Sequence, residues 1–253
     1  LYYRANFEKG KQYPMIVNLY EVQSKDLFVY VNPTLYNANG FNIANLTAKG
    51  YFVFLPDTVF ETEQTGDCAL RCAETAVSTV LQRGEIDSKR IGLIGHSFGG
   101  YETDYIITKS RLFACAVAGA AITDLVSAAH AVAPIVNRPN FFKVEHGQAR
   151  MSGSLFEEKQ RYIDNSPLFF ADGVQTPLLS WTGHDDPQVL ATQTMEFYMA
   201  LRRLGKEHVM LVYPGEEHNI LGRIADADLT KKIESWFARY LQSGPIEDWM
   251  KPK

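Results

Sequence analysis

The sequence has few cysteines, no long hydrophobic run and no marked excess of either charge. Three cysteines among 253 residues are too few, and odd in number, for a disulfide framework. The balance of 25 basic and 29 acidic residues argues against a nucleic acid or an anionic membrane as partner. No apolar run reaches the ~18 residues of a membrane span, and there is no signal-peptide pattern. We therefore expect a soluble protein of the cytoplasm, or a periplasmic or secreted one.

The sequence does contain an alternation of strand-like and helix-like segments. Short apolar runs typical of strands buried on both faces occur at 14–20, 51–55, 90–94, 112–117, 176–181 and 209–213. Helix-like segments occur at 67–83, where Asp67 is the expected N-cap, and at 98–108, 188–204 and 229–240. This order predicts a doubly wound, mostly parallel sheet with helices on both sides. Since there is no linker and no repeat, we expect 1–253 to form one α/β domain, with 123–167 as an insertion.

Residues 95–99, Gly-His-Ser-Phe-Gly, match the pattern G-x-S-x-G between a predicted strand and a predicted helix. This context is typical of the nucleophile elbow of the α/β-hydrolase fold, in which a strained turn exposes the serine hydroxyl. Glycines are needed on both sides because side chains would clash across the turn. We predict Ser97 as the nucleophile and the backbone N–H of Phe98 as a donor to the developing oxyanion. The alternative is a glycine-rich helix start with a capping serine.

A serine nucleophile needs a histidine base and an orienting acid, and in this fold the chain order is Ser, acid, His. Both partners should lie just beyond the carboxyl ends of strands. Among the six histidines, His218 is the one that lies late enough in the chain and at this edge. In the loop after strand 176–181, Asp185 and Asp186 both fit as the acid. The other polar residues of these loops are expected to be solvated: His184, Glu216 and Glu217.

Several local patterns resemble the prolyl oligopeptidase family of serine peptidases. The elbow continues as Gly-Gly-Tyr over 99–101, which is similar to the family's G-x-S-x-G-G-[YF]. Gly183, Asp186 and Val189 resemble its G-x-x-D-x-x-V, and this spacing favours Asp186 as the acid. Residues 213–218, Tyr-Pro-Gly-Glu-Glu-His, resemble its Y-P-x-x-x-H. The resemblance extends from about residue 11 to residue 240, nearly the whole chain.

A fourth pattern concerns the oxyanion hole. Residues 13–20 are similar to the family's strand that delivers a tyrosine to this hole, which implies that the Tyr20 hydroxyl is a second oxyanion donor. The family usually has small residues after this tyrosine, whereas Glu-Val-Gln follows here at 21–23. We therefore expect a different backbone near Tyr20. Pro187, in the acid loop, is a second departure.

A substrate pocket is also expected. Phe98 and Tyr101 are candidates to line the pocket for the residue before the scissile bond. The further walls implied by the resemblance are Leu125, Trp181 and Val189. Core packing explains each of these side chains equally well. Residues 147–153 are similar to a G-Q-x-R-M-G-G stretch of bacterial members, in which Arg150 either binds a substrate carbonyl or carboxylate or forms a structural ion pair.

We predict a serine peptidase that hydrolyses peptide bonds of short peptides through an acyl-enzyme, with no cofactor and no metal ion. Cys68 and Cys72 lie four apart on a predicted helix but lack further ligands, so we interpret them as buried thiols. A carboxylic-ester hydrolase is the alternative, although the sequence lacks the H-G-G-G-type loop of lipase-like esterases. A third hypothesis is a hydrolase fold that serves only as a binding scaffold.

The length bears on specificity. Members of the resembled family usually carry an N-terminal β-propeller that restricts entry to short peptides. This chain opens on Leu1 in a strand-like stretch and has no repeated propeller blades. We expect it to be the catalytic domain alone, and the sequence leaves the cleaved residue and the oligomeric state open.

Overall fold

The protein is described by a computed structural model that covers residues 1–133 and 138–251. In chain order, the strands in these ranges are β1 (Tyr13–Leu19), β2 (Phe52–Phe54), β3 (Ile86–His96), β4 (Cys115–Gly119), β5 (Val132–Ala133), β6 (Arg138–Pro139), β7 (Leu178–Gly183) and β8 (His208–Tyr213). Six of them form one sheet in the order β2-β1-β3-β4-β7-β8. Every pairing in this sheet is parallel, so all six carboxyl ends meet at one edge.

Helices cover both faces of the sheet. They are α1 (Ile43–Ala48), α2 (Thr65–Leu81), α3 (Phe98–Lys109), α4 (Leu125–Ala129), α5 (Phe141–Glu145), α6 (Lys159–Asp164), α7 (Ala191–Arg203) and α8 (Arg223–Leu241). Met15 and Val17 of β1 lie in a core cluster that also contains residues of α2, α3 and α7, whereas Ile16 lies in a cluster on the other face with residues of α1 and α8. The predicted doubly wound α/β-hydrolase architecture is confirmed. In the described part of the chain, no helix combines the length and the apolar character needed to cross a bilayer.

Several element boundaries differ from the sequence expectation, and three of these differences have a clear physical reason. Strand β4 begins at Cys115, not at residue 112, because pairing with β3 begins there. Helix α7 begins at Ala191, not at 188, because the preceding residues close a turn around Asp186. Helix α2 begins at Thr65, so Asp67 is not its N-cap; the Asp67 carboxylate accepts a hydrogen bond from the Tyr105 hydroxyl at 2.7 Å.

The insertion 123–167 carries α4 to α6 and the antiparallel pair of strands β5 and β6. It has an apolar cluster of its own that includes Val144, Met151 and Tyr162. The Thr65 hydroxyl donates to the Ala149 carbonyl at 2.6 Å, which ties the insertion to the first residue of α2. The insertion is therefore anchored to the main fold beside the carboxyl edge of the sheet.

Candidate active site

The elbow between β3 and α3 holds Ser97 in a strained backbone conformation. Ser97 has φ 59° and ψ −118°, and its N–H donates to the Gly119 carbonyl at 2.8 Å. A Cβ atom on Gly95 would lie 1.9 Å from the Gly99 carbonyl oxygen, and one on Gly99 would lie 2.1 Å from the carbonyl oxygen of Leu19. Both positions therefore require glycine, and the turn presents the serine hydroxyl at the N-terminus of α3.

A histidine and an aspartate reach this serine from two neighbouring strands. His218, in the loop after β8, places Nε2 2.8 Å from Ser97 Oγ. Asp186, in the loop after β7, places Oδ2 2.6 Å from His218 Nδ1. Both side chains are buried, so water competes little for these hydrogen bonds. Hydroxyl, imidazole and carboxylate thus form one continuous line of hydrogen bonds at the carboxyl edge of the sheet.

The two aspartates of the acid loop have different surroundings. The second carboxylate oxygen of Asp186 accepts hydrogen bonds from the backbone N–H groups of Gln188, at 2.8 Å, and Val189, at 3.0 Å. Asp185 is exposed, and its Oδ1 lies 2.6 Å from Nδ1 of the exposed His184. The geometry therefore separates the two aspartates, and only Asp186 contacts the buried histidine.

His96 and Glu216 stabilise the His218 loop, although the sequence indicated no such role for either residue. His96 Nε2 lies 2.9 Å from the His218 carbonyl oxygen, and the His96 ring stacks on Trp181 with centroids 5.2 Å apart. Burial lowers the pKa of His96 to about 4, so the ring is neutral near pH 7 and donates a single N–H. Glu216, expected to be solvated, instead accepts two backbone N–H groups at the end of the loop, at 2.8 and 3.1 Å.

An apolar cavity of about 270 Å³ opens beside Ser97. Four of the residues expected around a substrate pocket line it: Phe98, Tyr101, Leu125 and Val189. The insertion contributes a wall made of Asn140, Lys143, Val144, Gly147, Gln148 and Ala149. The cavity adjoins the serine hydroxyl and has mostly hydrocarbon walls, so it suits an apolar side chain.

Arg150 and Trp181 do not line this cavity. Arg150 Nη2 lies 2.7 Å from Glu21 Oε1, and the guanidinium lies 4.6 Å from the centre of the Phe60 ring. Arg150 was expected either to bind a substrate or to form a structural ion pair, and the structure contains the ion pair. Side chains alternate along β7, and the Trp181 indole lies with Leu179 in the cluster beneath α8. Its role as a pocket wall stays a prediction.

Tyr20 follows β1 directly and lies next to the elbow. A Cβ atom on Gly99 would be 3.5 Å from Tyr20 Cδ2. The Tyr20 hydroxyl accepts a hydrogen bond from Gln148 Nε2 at 3.3 Å, a contact between residues 128 positions apart that no local pattern indicates. The next residue, Glu21, has φ 34°, in the left-handed region that favours glycine. The Phe98 N–H, at the first position of α3, has no acceptor within its helix.

Three features together define the α/β-hydrolase class: a parallel sheet, a serine elbow flanked by glycines, and a histidine and an aspartate that follow later strands. The sequence profile of the prolyl oligopeptidase family matches residues 63–244. The chain therefore belongs to this family of serine peptidases.

Individual relatives agree with this membership. The chain is 31% identical over 170 residues to the uncharacterized peptidase YuxL of Bacillus subtilis, across 66% of the chain and 25% of the relative. It is 24% identical over 215 residues to the acylamino-acid-releasing enzyme of Rattus norvegicus, across 83% and 29%. Dipeptidyl peptidase 4 of Porphyromonas gingivalis shares the fold, with a TM-score of 0.76 and 22% identity over 94% of this chain and 33% of that chain. This chain thus spans at most a third of the length of these proteins.

Proposed function

We propose that this chain is the catalytic domain of a serine peptidase that hydrolyses peptide bonds of short peptides. The observation that supports this is the line of hydrogen bonds from Ser97 through His218 to Asp186, beside an apolar cavity. The chain belongs to a peptidase family, which favours amides over esters as substrates. That an N-terminal propeller limits the size of the peptide stays a prediction.

In the first step, His218 takes the proton of the Ser97 hydroxyl as Oγ attacks the substrate carbonyl carbon. The buried Asp186 carboxylate orients the imidazole and stabilises the positive charge that develops on it. The short distances of 2.8 and 2.6 Å favour this transfer because neither group has to move far.

The carbonyl oxygen becomes an oxyanion when the tetrahedral intermediate forms. The Phe98 N–H and the Tyr20 hydroxyl donate to it, and the N-terminus of α3 adds a favourable dipole. His218 then gives its proton to the leaving amine, which leaves an acyl group on Ser97. Water, activated by the same histidine, attacks the ester and regenerates the serine.

Replacement of Tyr20 by phenylalanine should lower kcat by ~10²–10³-fold, as expected for one oxyanion donor. The ring and its packing beside the elbow are kept, so the folded state should be unaffected. Steady-state kinetics on a peptide p-nitroanilide measure the effect, with thermal unfolding as the check on folding. Unchanged turnover in a folded Tyr20→Phe variant would remove Tyr20 from the mechanism.

A panel of aminoacyl and dipeptidyl p-nitroanilides, set against short-chain p-nitrophenyl esters, tests the proposed function. We expect turnover of the amides, with a preference for a large apolar residue before the scissile bond, because the cavity beside Ser97 is apolar. Robust ester turnover without amide turnover would identify an esterase instead. A folded protein that a fluorophosphonate probe fails to label, while it labels a control serine hydrolase, would support the binding scaffold.

A further inference from the structure

Glu102 is a buried carboxyl group that the proposed mechanism does not use. It lies on α3, five residues after Ser97, and its exposed fraction is 0%. Within the described ranges, neither carboxyl oxygen has a partner at hydrogen-bonding geometry. Burial of an unpartnered carboxyl group destabilises a fold, so its presence this close to the elbow suggests a role there.

The carboxyl group of Glu102 lies near the turn that follows β1. The Glu21 backbone N–H and the Thr58 hydroxyl lie near enough to lower its pKa, and the Thr58 N–H donates to the Glu21 carbonyl at 2.8 Å. The charges of two side chains also act on its pKa: Glu21 of the turn raises it and Arg150 of the insertion lowers it. These two pair with each other at 2.7 Å. Three separate parts of the chain therefore converge on the residue directly after Tyr20.

We propose that Glu102 is a positioning residue that holds the Tyr20–Glu21 turn, and with it the Tyr20 hydroxyl, in place for oxyanion binding. The proposal rests on the function proposed above. Glu21 occupies a backbone region, φ 34°, that a residue other than glycine adopts only when its surroundings support it. Arg150 supports the turn from the insertion, and Glu102 supports it from α3. Since α3 also begins with Phe98, one helix would then position both oxyanion donors, the Phe98 N–H and the Tyr20 hydroxyl.

Because Glu102 can be protonated or charged, its effect on the Tyr20–Glu21 turn should depend on pH. Burial, reinforced by the Glu21 charge, raises the pKa of Glu102 to about 8, although Arg150 opposes the shift. The carboxyl group is therefore protonated at neutral pH and becomes charged as the pH rises through about 8. The new charge repels Glu21 and competes with it for Arg150. We expect the turn to loosen and kcat to fall over this interval.

Two substitutions test the proposal on the whole chain with a peptide p-nitroanilide. Glu102→Met removes the polar group and should lower kcat by about 10- to 10²-fold with little change in KM, since a misplacement near 1 Å costs this much. Glu102→Gln keeps a neutral polar group of the same shape. This variant should retain kcat at neutral pH. Its kcat should not fall near pH 8, because glutamine cannot become charged there.

Asp104→Asn is a matched control. Asp104 is a second fully buried carboxyl on α3, and burial raises its pKa without a contribution from any charged group in the described ranges. Its neutral variant should change neither kcat nor the pH profile. A double-mutant cycle adds a sharper readout: in the Tyr20→Phe background, Glu102→Met should cause little further loss, because the two residues act through one hydroxyl.

Wild-type kcat and an unchanged pH profile in folded Glu102→Met would overturn the proposal, as would losses that simply multiply in the double variant. If Glu102→Met does not fold, the Glu102→Gln profile decides, and an alkaline decline that persists in it contradicts the proposal. Failure of the proposed function is distinguishable from both results, since the wild-type chain would then cleave no amide at all.

Discussion

Replacement of Ser97 by alanine is expected to lower kcat on peptide amides by ~10⁴-fold or more, because no other group can form the acyl-enzyme. The oxyanion donors and the cavity are unchanged in this variant, so KM should stay close to that of the wild type and a small residual rate should remain. Steady-state kinetics with purified enzyme measure the loss. A fluorophosphonate probe gives a second readout, because the variant should no longer be labelled.

Ser180 offers a matched control, since its Oγ lies 2.7 Å from Nε2 of His208. Ser180 is buried and His208 is half-buried. Burial lowers the pKa of His208 to about 3, and His208 Nδ1 has no partner among the described residues. No acid therefore orients the ring, and Ser180→Ala should retain both kcat and labelling at Ser97. Wild-type turnover in folded Ser97→Ala, or probe attached to Ser180, would show that the nucleophile is misassigned.

Asp186→Asn is expected to lower kcat by ~10⁴-fold. One oxygen of Asp186 accepts two backbone N–H groups, so the amide oxygen of asparagine should take that side. The amide NH₂ then faces His218 Nδ1, which has to accept a hydrogen bond instead of donating one. Nε2 would carry the proton and could no longer remove the proton of Ser97. The measurement is kcat across the pH range, together with thermal unfolding.

Asp185→Asn is the control for this prediction. Asp185 is exposed and pairs with the exposed His184, and exposed ion pairs contribute little. Its variant should keep wild-type kcat and stability. An inactive Asp185→Asn beside an active Asp186→Asn would show that the acid assignment is wrong.

Much of the site could be predicted because the requirements of its parts are local. The elbow needs glycine on both sides of Ser97, and the distances of 1.9 and 2.1 Å calculated for added Cβ atoms explain this need. The candidates for the base and the acid lie in two loops, those of His218 and Asp186, because parallel strands end at one edge of the sheet. The loop pattern then selected one aspartate from two neighbours, and their different surroundings are consistent with that choice.

The surroundings of the site could not be predicted in the same way. His96 contacts the His218 backbone, Gln148 contacts the Tyr20 hydroxyl, and Glu102 lies near Glu21. Each contact joins segments far apart in the chain, and hydrophobic periodicity carries no information about which loops meet. The position of Trp181 differs in this respect, because side-chain alternation along its strand does indicate the face of the sheet on which it lies.

The sequence by itself determined the alternation of strands and helices, the doubly wound fold and the position of the serine turn, because these follow from local patterns of apolar residues and glycine. Only the tertiary structure decided which polar groups lie buried around that turn. The partner of the Arg150 guanidinium, a substrate or Glu21, depends on interatomic distances. The charge of the Glu102 carboxyl depends on desolvation. Both quantities exist only once the insertion, the β1 turn and α3 are packed together.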